Sequence, residues 1–393
     1  MTFQAVASFA IWPYFWSAYR IRGWGRLPNP RGPTLCLANH QHDLDDKITI
    51  SYMERAGPWD KTIYAVSGKR LFERGAMAWT VPWLEPIMRD VETAPLFYAV
   101  GMLPIENEIR SRPFLGFARA VYERHGDLPL AQVFRESALD AVGPEARGER
   151  LSYAFQAKSF KKARRTELPI KSILEPYRSE LFEHMHADME KDLRLLEDRL
   201  KAGATFWLTP EGRFTKNGRM SPMRTALWRL APLAENLYTI AISYDVFVGT
   251  RLSMLFRVLP AIDRNDVVNS MKAPRPVTVS QLLADWLVST RLQEPGAAFT
   301  YENALEAVSD RLGALPPLAW VEPELRASPQ RMTRAALDGM QRLHIVARAS
   351  DGYTLTGKRA HPQFPNVVDI VAHQAAFFEE SQEAWRIFSG REG

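Results

Sequence analysis

Cysteine is all but missing from this chain: its 393 residues hold one, Cys36. That excludes an intramolecular disulfide and leads us to expect a reducing compartment. Leu35, Leu37 and Ala38 surround it with apolar neighbours, which marks Cys36 as a small core residue rather than a nucleophile. The start of the chain lacks a basic segment and a small-residue cleavage site, so no secretory signal is expected. Charge imbalance is also small, at a formal +5, with 24% charged and 46% hydrophobic residues. This is the profile of an ordinary globular protein with one large or two ordinary domains. The Lys and Arg excess favours anionic surfaces or ligands, but no nucleic-acid-binding motif accompanies it, and a nucleic-acid partner is not expected. Internal repeats and low-complexity tracts are absent.

Residues 1–19 carry no charge at all, yet hold Phe3, Phe9, Trp12, Tyr14, Phe15, Trp16 and Tyr19, with Arg20, Arg22 and Arg26 following at once. A spanning helix needs about 20 apolar residues, and Gln4, Pro13 and the aromatic excess fit that poorly. Aromatic residues beside arginines suit a segment lying at the lipid headgroup level. A core helix of the first domain is the competing reading.

Chemistry is concentrated just after the apolar run Leu35–Ala38. His40, His42, Asp43, Asp45 and Asp46 put two histidines and three aspartates into seven positions, immediately before the helical spacing of Ile48, Tyr52 and Met53 begins. On an ideal helix His40 and Asp45 would lie ~140° apart round the axis. They can meet only if His40 sits at or before the helix start and Asp45 lies one turn in. The pair would then be a general base with its orienter. Other readings stay open: helix caps and first-turn charges, a satisfied polar cluster without turnover, or a metal site using His40, His42 and Asp45. The last resembles the His-x-His-x-Asp-His run of metallo-β-lactamase-like hydrolases, with Leu44 in place of its aspartate and Asp45 in place of its histidine.

Arg22-Gly23-Trp24-Gly25-Arg26-Leu27-Pro28, then Gly32-Pro33 and Asn39-His40 to Asp45, resemble the approach and first motif (Asn-His-x4-Asp) of glycerol-phosphate and lysophospholipid acyltransferases. Two further landmarks follow in that family's order. Gly101 and Ile105 fit its second motif, although Asn107 stands where the motif has a phosphate-holding arginine; Arg110 and Arg112 are the nearest cations. Pro210-Glu211-Gly212 matches the start of its Pro-Glu-Gly-Thr-Arg-Ser motif, with Arg213 in the threonine's place, Phe214 in the arginine's, and Gly218-Arg219 continuing the frame. Leu237–Ser243 fits the fourth motif in position and character, without its usual proline.

The resemblance covers roughly residues 20–262. It implies an α/β fold, a mixed sheet flanked by helices, like that of glycerolphosphate acyltransferases. Between the motifs, helix is expected over 47–56 and 72–83, strand over 62–66, and an insertion over about 113–182. The basic run Lys158, Lys161, Lys162, Arg164 and Arg165 reads as a solvated loop, or as a contact for anionic lipid or acyl carrier protein. Met185, Met189, Leu193, Leu196 and Leu200 mark one helix face, ended by Gly203. Ala204–Leu208 reads as a strand, 223–235 as a helix, and Met254–Ile262 as an edge strand. A boundary near 265–277 separates the acyltransferase domain, 20–264, from a smaller, mainly helical C-terminal domain over 278–393. There, Arg334–Leu343 leads into a hairpin at Asp351-Gly352, as in a winged helix.

The function implied is transfer of a fatty acyl group from acyl-CoA or acyl-ACP to a hydroxyl of a glycerolipid or lysophospholipid. His40 is the expected base and Asp45 its orienter. Asn39, Gly101, Ile105, Glu211, Gly212, Arg213 and Arg219 are the expected binding residues. No metal or cofactor is called for, and the expected location is peripheral or monotopic, on the cytoplasmic face of a membrane. A metal-dependent hydrolase and a catalytically silent lipid-surface protein are the alternatives.

Overall fold

The apolar run that precedes the histidines becomes an interior strand of a sheet, buried on both faces and paired in parallel on both edges. A near-continuous apolar sequence is what such a strand requires. The structure is a computed structural model that describes residues 2–26, 31–42, 44–56, 61–73, 91–106, 110–290 and 294–390. The chain divides into two compact units, residues 1–65 with 199–393, and residues 66–198.

The first unit begins with helix α1 (Phe3–Ala18), which runs through Pro13. Its Gln4 side chain pins it to the chain at Ile63, accepting from the Ile63 N–H at 2.9 Å and donating to the Ile63 carbonyl at 2.6 Å. Ala5, Ser8 and Phe15 are buried, while Phe3, Val6, Ile11, Tyr14 and Trp16 are exposed, Trp16 to 68%. The helix therefore has a docked face, as the core reading requires, and a bare aromatic one. None of the helices among the described residues is long and apolar enough to cross a membrane.

Strand β1 (Arg20–Trp24), strand β2 (Thr34–Ala38), helix α2 (Asp45–Ala56) and strand β3 (Ile63–Gly68) follow. The second unit holds β4 (Met102–Ile105), β5 (Ser111–Pro113), α3 (Phe114–His125), α4 (Ala157–Arg165) and β6 (Glu167–Pro169). Phe114, Phe117, Phe134, Phe160 and Met185 are among the residues of its own apolar core. Of the helix expected over 72–83, Lys69–Phe72 is a short 3-10 turn, and residues 74–90 lie outside the described residues. The basic run is not a loop but helix α4, because Phe160 and Ala163 recur at helical spacing on a buried face. Lys158 and Lys162 pair with Glu149 and Glu145, and Arg164 lies over the Phe160 ring.

Helix α5 (Tyr177–Lys201) buries Met185, Leu193, Leu196 and Leu200, and ends before Gly203, whose φ is +89°. The chain then forms β7 (Thr205–Leu208), the short α6 (Thr225–Leu230), β8 (Asn236–Asp245) and β9 (Ser253–Pro260). Within the first unit the strand order is β1-β9-β8-β2-β7-β3, parallel at every junction except the antiparallel β8–β9 pair. That is a mixed sheet flanked by helices. One expectation is corrected: β9 is not the edge, since β1 pairs outside it from Arg20↔Ser253 to Trp24↔Arg257. Pro260 reflects only the end of that strand.

Beyond it lie α7 (Val279–Ser289), strand β10 (Ala298–Phe299), α8 (Tyr301–Gly313), α9 (Pro329–Arg342), the hairpin β11 (Val346–Ala349) and β12 (Gly352–Leu355), and α10 (Ile370–Ser389). Thr278 and Gln281 form a reciprocal cap at the start of α7. The hairpin pairs with β10 as a three-stranded antiparallel sheet.

Cys36 sits on β2 with no exposed surface, and burial pushes its thiol up to about 12. Native protein is therefore expected to resist alkylation by iodoacetamide at pH 8 and to react fully once unfolded. Mass spectrometry of the two samples checks this, and rapid native labelling would contradict the packing.

Candidate active site

Three neighbouring parallel strands, β7, β2 and β8, end on the same side of the sheet, with Leu37 level with both Leu208 and Thr239. The residues just past their carboxyl ends are therefore brought together, where open α/β sheets hold ligands. His40 follows β2, Glu211 follows β7, and Tyr244 lies near the end of β8.

Helix α2 starts at Asp45 itself rather than a turn earlier. His40 thus lies in the loop before it, and the Asp45 carboxylate folds back over that loop. Its Oδ2 accepts from the N–H groups of Gln41 at 2.6 Å and His42 at 2.9 Å, and lies 3.0 Å from His40 Nδ1. The other oxygen accepts from the Tyr244 hydroxyl at 2.5 Å. With no exposed surface, this carboxylate spends both oxygens on fixing a loop and one imidazole. A proton on Nδ1 toward Asp45 leaves Nε2 as the basic nitrogen.

The turn around Pro210 closes over the same histidine. Glu211, almost fully buried, accepts the His40 N–H on Oε1 at 3.0 Å and the Ser221 N–H on Oε2 at 2.8 Å. The Thr215 N–H donates to the His40 carbonyl at 3.1 Å, and the Phe214 ring lies 4.3 Å from the imidazole, centroid to centroid. Burial raises the Glu211 carboxyl above its ordinary range, an effect opposed by those two N–H groups and by the nearby Arg275 charge. Gly212 has φ +65°, closing a turn in which its N–H reaches the Thr209 carbonyl. A side chain there would be strained.

The remaining expected residues separate. Asn39 is buried and spends its amide on the backbone of Ile242, with bonds of 3.0 and 2.7 Å. Arg213 is exposed, whereas Arg219 pairs with Glu379 and Glu383 on α10. Gly101 and Ile105 belong to the second unit, where Gly101 has φ +77° and Ile105 ends β4. Asn107 lies outside the described residues. Of its neighbours, Arg112 is buried against Glu73 and Glu106, and Arg110 is exposed. His42 does not join His40. Its Nε2 reaches the Gln363 carbonyl at 3.1 Å, its Nδ1 accepts from the Leu44 N–H, and its ring packs against Tyr19, Tyr244 and Phe364. Among the described residues no three His, Cys, Asp or Glu side chains could share a metal ion. The convergence that a His40/His42/Asp45 metal site needs is absent, because the two rings serve different partners.

Neither Tyr244 nor the packing of Phe214 on His40 is legible in the sequence, where Phe214 only fills the motif arginine's place. Two-residue alternation along β8 does put Tyr244 on one face with Ile240 and Ile242, but nothing local ties that face to Asp45. Burial first, and then the Asp45 charge and hydrogen bond, hold the Tyr244 phenol well above its usual value. Tyr244→Phe leaves one carboxylate oxygen short of a donor and is expected to cost about 1–3 kcal/mol of stability. Because the folded phenol keeps its proton more tightly than the unfolded one, this contribution is complete below about pH 10 and fades as pH rises further. Urea unfolding at pH 8 and pH 11 should therefore show a smaller gap between wild type and variant at the higher pH. A gap that widens would contradict the assignment.

No family model and no curated protein matches this chain. Among solved structures, the chain is similar to the 1-acyl-sn-glycerophosphate (LPA) acyltransferase PlsC of Thermotoga maritima, at 10% identity and a TM-score of 0.30, over 67% of this chain and 68% of that one.

Proposed function

We propose that this protein transfers a fatty acyl group from the thioester of coenzyme A or acyl carrier protein to a hydroxyl of a glycerolipid or lysophospholipid. The observation that carries the reading is the His40–Asp45 pair, 3.0 Å apart at the carboxyl end of a central parallel strand. In this scheme His40 Nε2 takes the acceptor's hydroxyl proton as that oxygen attacks the thioester carbonyl. The tetrahedral intermediate then collapses, the carbon–sulfur bond breaks, and the thiolate leaves with the proton returned by the imidazolium. Asp45 holds the tautomer and stabilises the cation.

Within the Pro-Glu-Gly turn the roles divide by availability. Glu211 has both oxygens occupied, so it holds the base rather than the acceptor. Arg213, exposed beside it, is the cation offered to an acceptor phosphate, in preference to the paired Arg219. The bare aromatic face of α1 suits seating on lipid headgroups at the cytoplasmic face of a membrane.

Thiol release from acyl-CoA, measured against lysophospholipids, glycerol phosphate and non-phosphorylated alcohols, tests the reading. Release that depends on a lysolipid supports it. Vesicle binding that is lost on deleting residues 1–19, with no thiol released for any acceptor, would leave a silent lipid-surface protein instead.

A further inference from the structure

We infer that the C-terminal helix α10 is a positioning element for His40, acting through Glu380 on the loop that grips the histidine's backbone. The inference rests on the reading of His40 as the base, and it concerns a segment in which the sequence shows no chemistry.

Glu380 is buried, and its carboxylate is fully engaged. Oε2 accepts from the Met220 N–H at 3.0 Å and from Arg275 Nη1 at 3.2 Å, while Oε1 takes Lys272 Nζ at 3.0 Å. Met220 is followed by Ser221, whose N–H holds Glu211, and Glu211 in turn holds the His40 N–H. A continuous polar path therefore runs from α10 to the peptide of the candidate base. A second tie is steric. Gly218, at φ +83°, lies so close to α10 that a Cβ there would stand 2.0 Å from the His373 carbonyl oxygen. Arg219 adds ion pairs to Glu379 and Glu383 at the outer rim.

The buried charges explain why a glutamate stands at this position. Arg275 is 1% exposed and lies 4.0 Å over the face of the Phe377 ring, and an unpaired guanidinium there would be costly. Burial alone would raise the Glu380 carboxyl, but Arg275 and Lys272 outweigh it and hold the group below its usual range. Arg275 also acts on Glu211. Without Glu380 the guanidinium keeps Glu211 as its remaining nearby carboxylate, and any shift toward it loosens the grip on His40.

The test combines imidazole NMR of the 15N-histidine-labelled protein, with the His40 signals assigned by His40→Gln, and steady-state kinetics of thiol release. Glu380→Ala is expected to shift or broaden the His40 signals while leaving those of His125 and His184 in place. It should lower kcat by roughly 10–100-fold, as a displaced reacting group does, with KM for the thioester changed by less than about 3-fold. Glu380→Gln, which retains an acceptor for the Met220 N–H, should recover part of the rate. If Glu380→Ala does not fold, Gly218→Ala displaces the same loop with every charge intact and is read in the same way. Unmoved His40 signals in a folded variant overturn the inference. Moved signals with an unchanged rate uphold the brace and instead reject His40 as the base, so the two failures are distinguishable.

Discussion

His40→Gln is expected to lower acyl transfer by roughly 10²–10⁴-fold, the range a positioned general base contributes, while leaving the fold in place. The ring is 15% exposed and packs on Phe214, so its loss opens little of the core. The contacts that hold the loop use the backbone of residue 40, which the substitution preserves: its N–H to Glu211 and its carbonyl to Thr215. Kinetics of thiol release beside a thermal melt separate the two effects. A folded variant with the wild-type rate would remove His40 from the mechanism and with it the proposed reaction.

Asp45→Asn should produce the second large loss, and its size reports on a specific contribution. Oδ2 faces three donors, the N–H groups of Gln41 and His42 and the His40 ring nitrogen, whereas Oδ1 faces a hydroxyl that can rotate. An asparagine therefore fits with its carbonyl toward the three donors and its amide toward Tyr244. His40 then keeps its tautomer and loses only the charge that stabilises the imidazolium. The expected fall is roughly 10²–10³-fold, below the ~10⁴-fold loss that a wrong tautomer brings in serine proteases. Asp45→Ala differs in kind. It strands the buried N–H of Gln41 at about 1–3 kcal/mol and the half-buried one of His42 at a smaller cost, so its melting temperature should fall well below that of the asparagine variant. Equal melting temperatures for the two would contradict the loop-holding role.

The motif residues that met in space did so for reasons partly visible in the chain. Leu35–Ala38 and Thr205–Leu208 are short apolar runs, each ending at a polar cluster, and parallel pairing of such runs brings the clusters to one edge. The His40–Asp45 contact was conditional in the sequence. It depended on where helix α2 began, and boundaries are set by capping bonds that a periodic pattern does not resolve. Glu211 shows the opposite case. Its motif was legible, but its work was not, because both its partners are backbone N–H groups, invisible in a side-chain pattern. Arg219 fits the motif's frame as well as Arg213 does, and only the carboxylates of α10 tell them apart.

Local chemistry by itself determined that no disulfide forms within this chain, that an apolar strand hands over to a histidine and an aspartate five positions apart, and that a Pro-Glu-Gly turn follows a second such strand. Tertiary structure alone decided that β1 closes the sheet outside β9, that Tyr244 completes the shell around Asp45, and that α10 clamps the loop from more than a hundred residues away. The physical reason is range. Hydrophobic period and turn chemistry act over a few residues, whereas strand order, shared carboxylates and buried ion pairs join distant segments, and their partners are fixed only once the chain has packed.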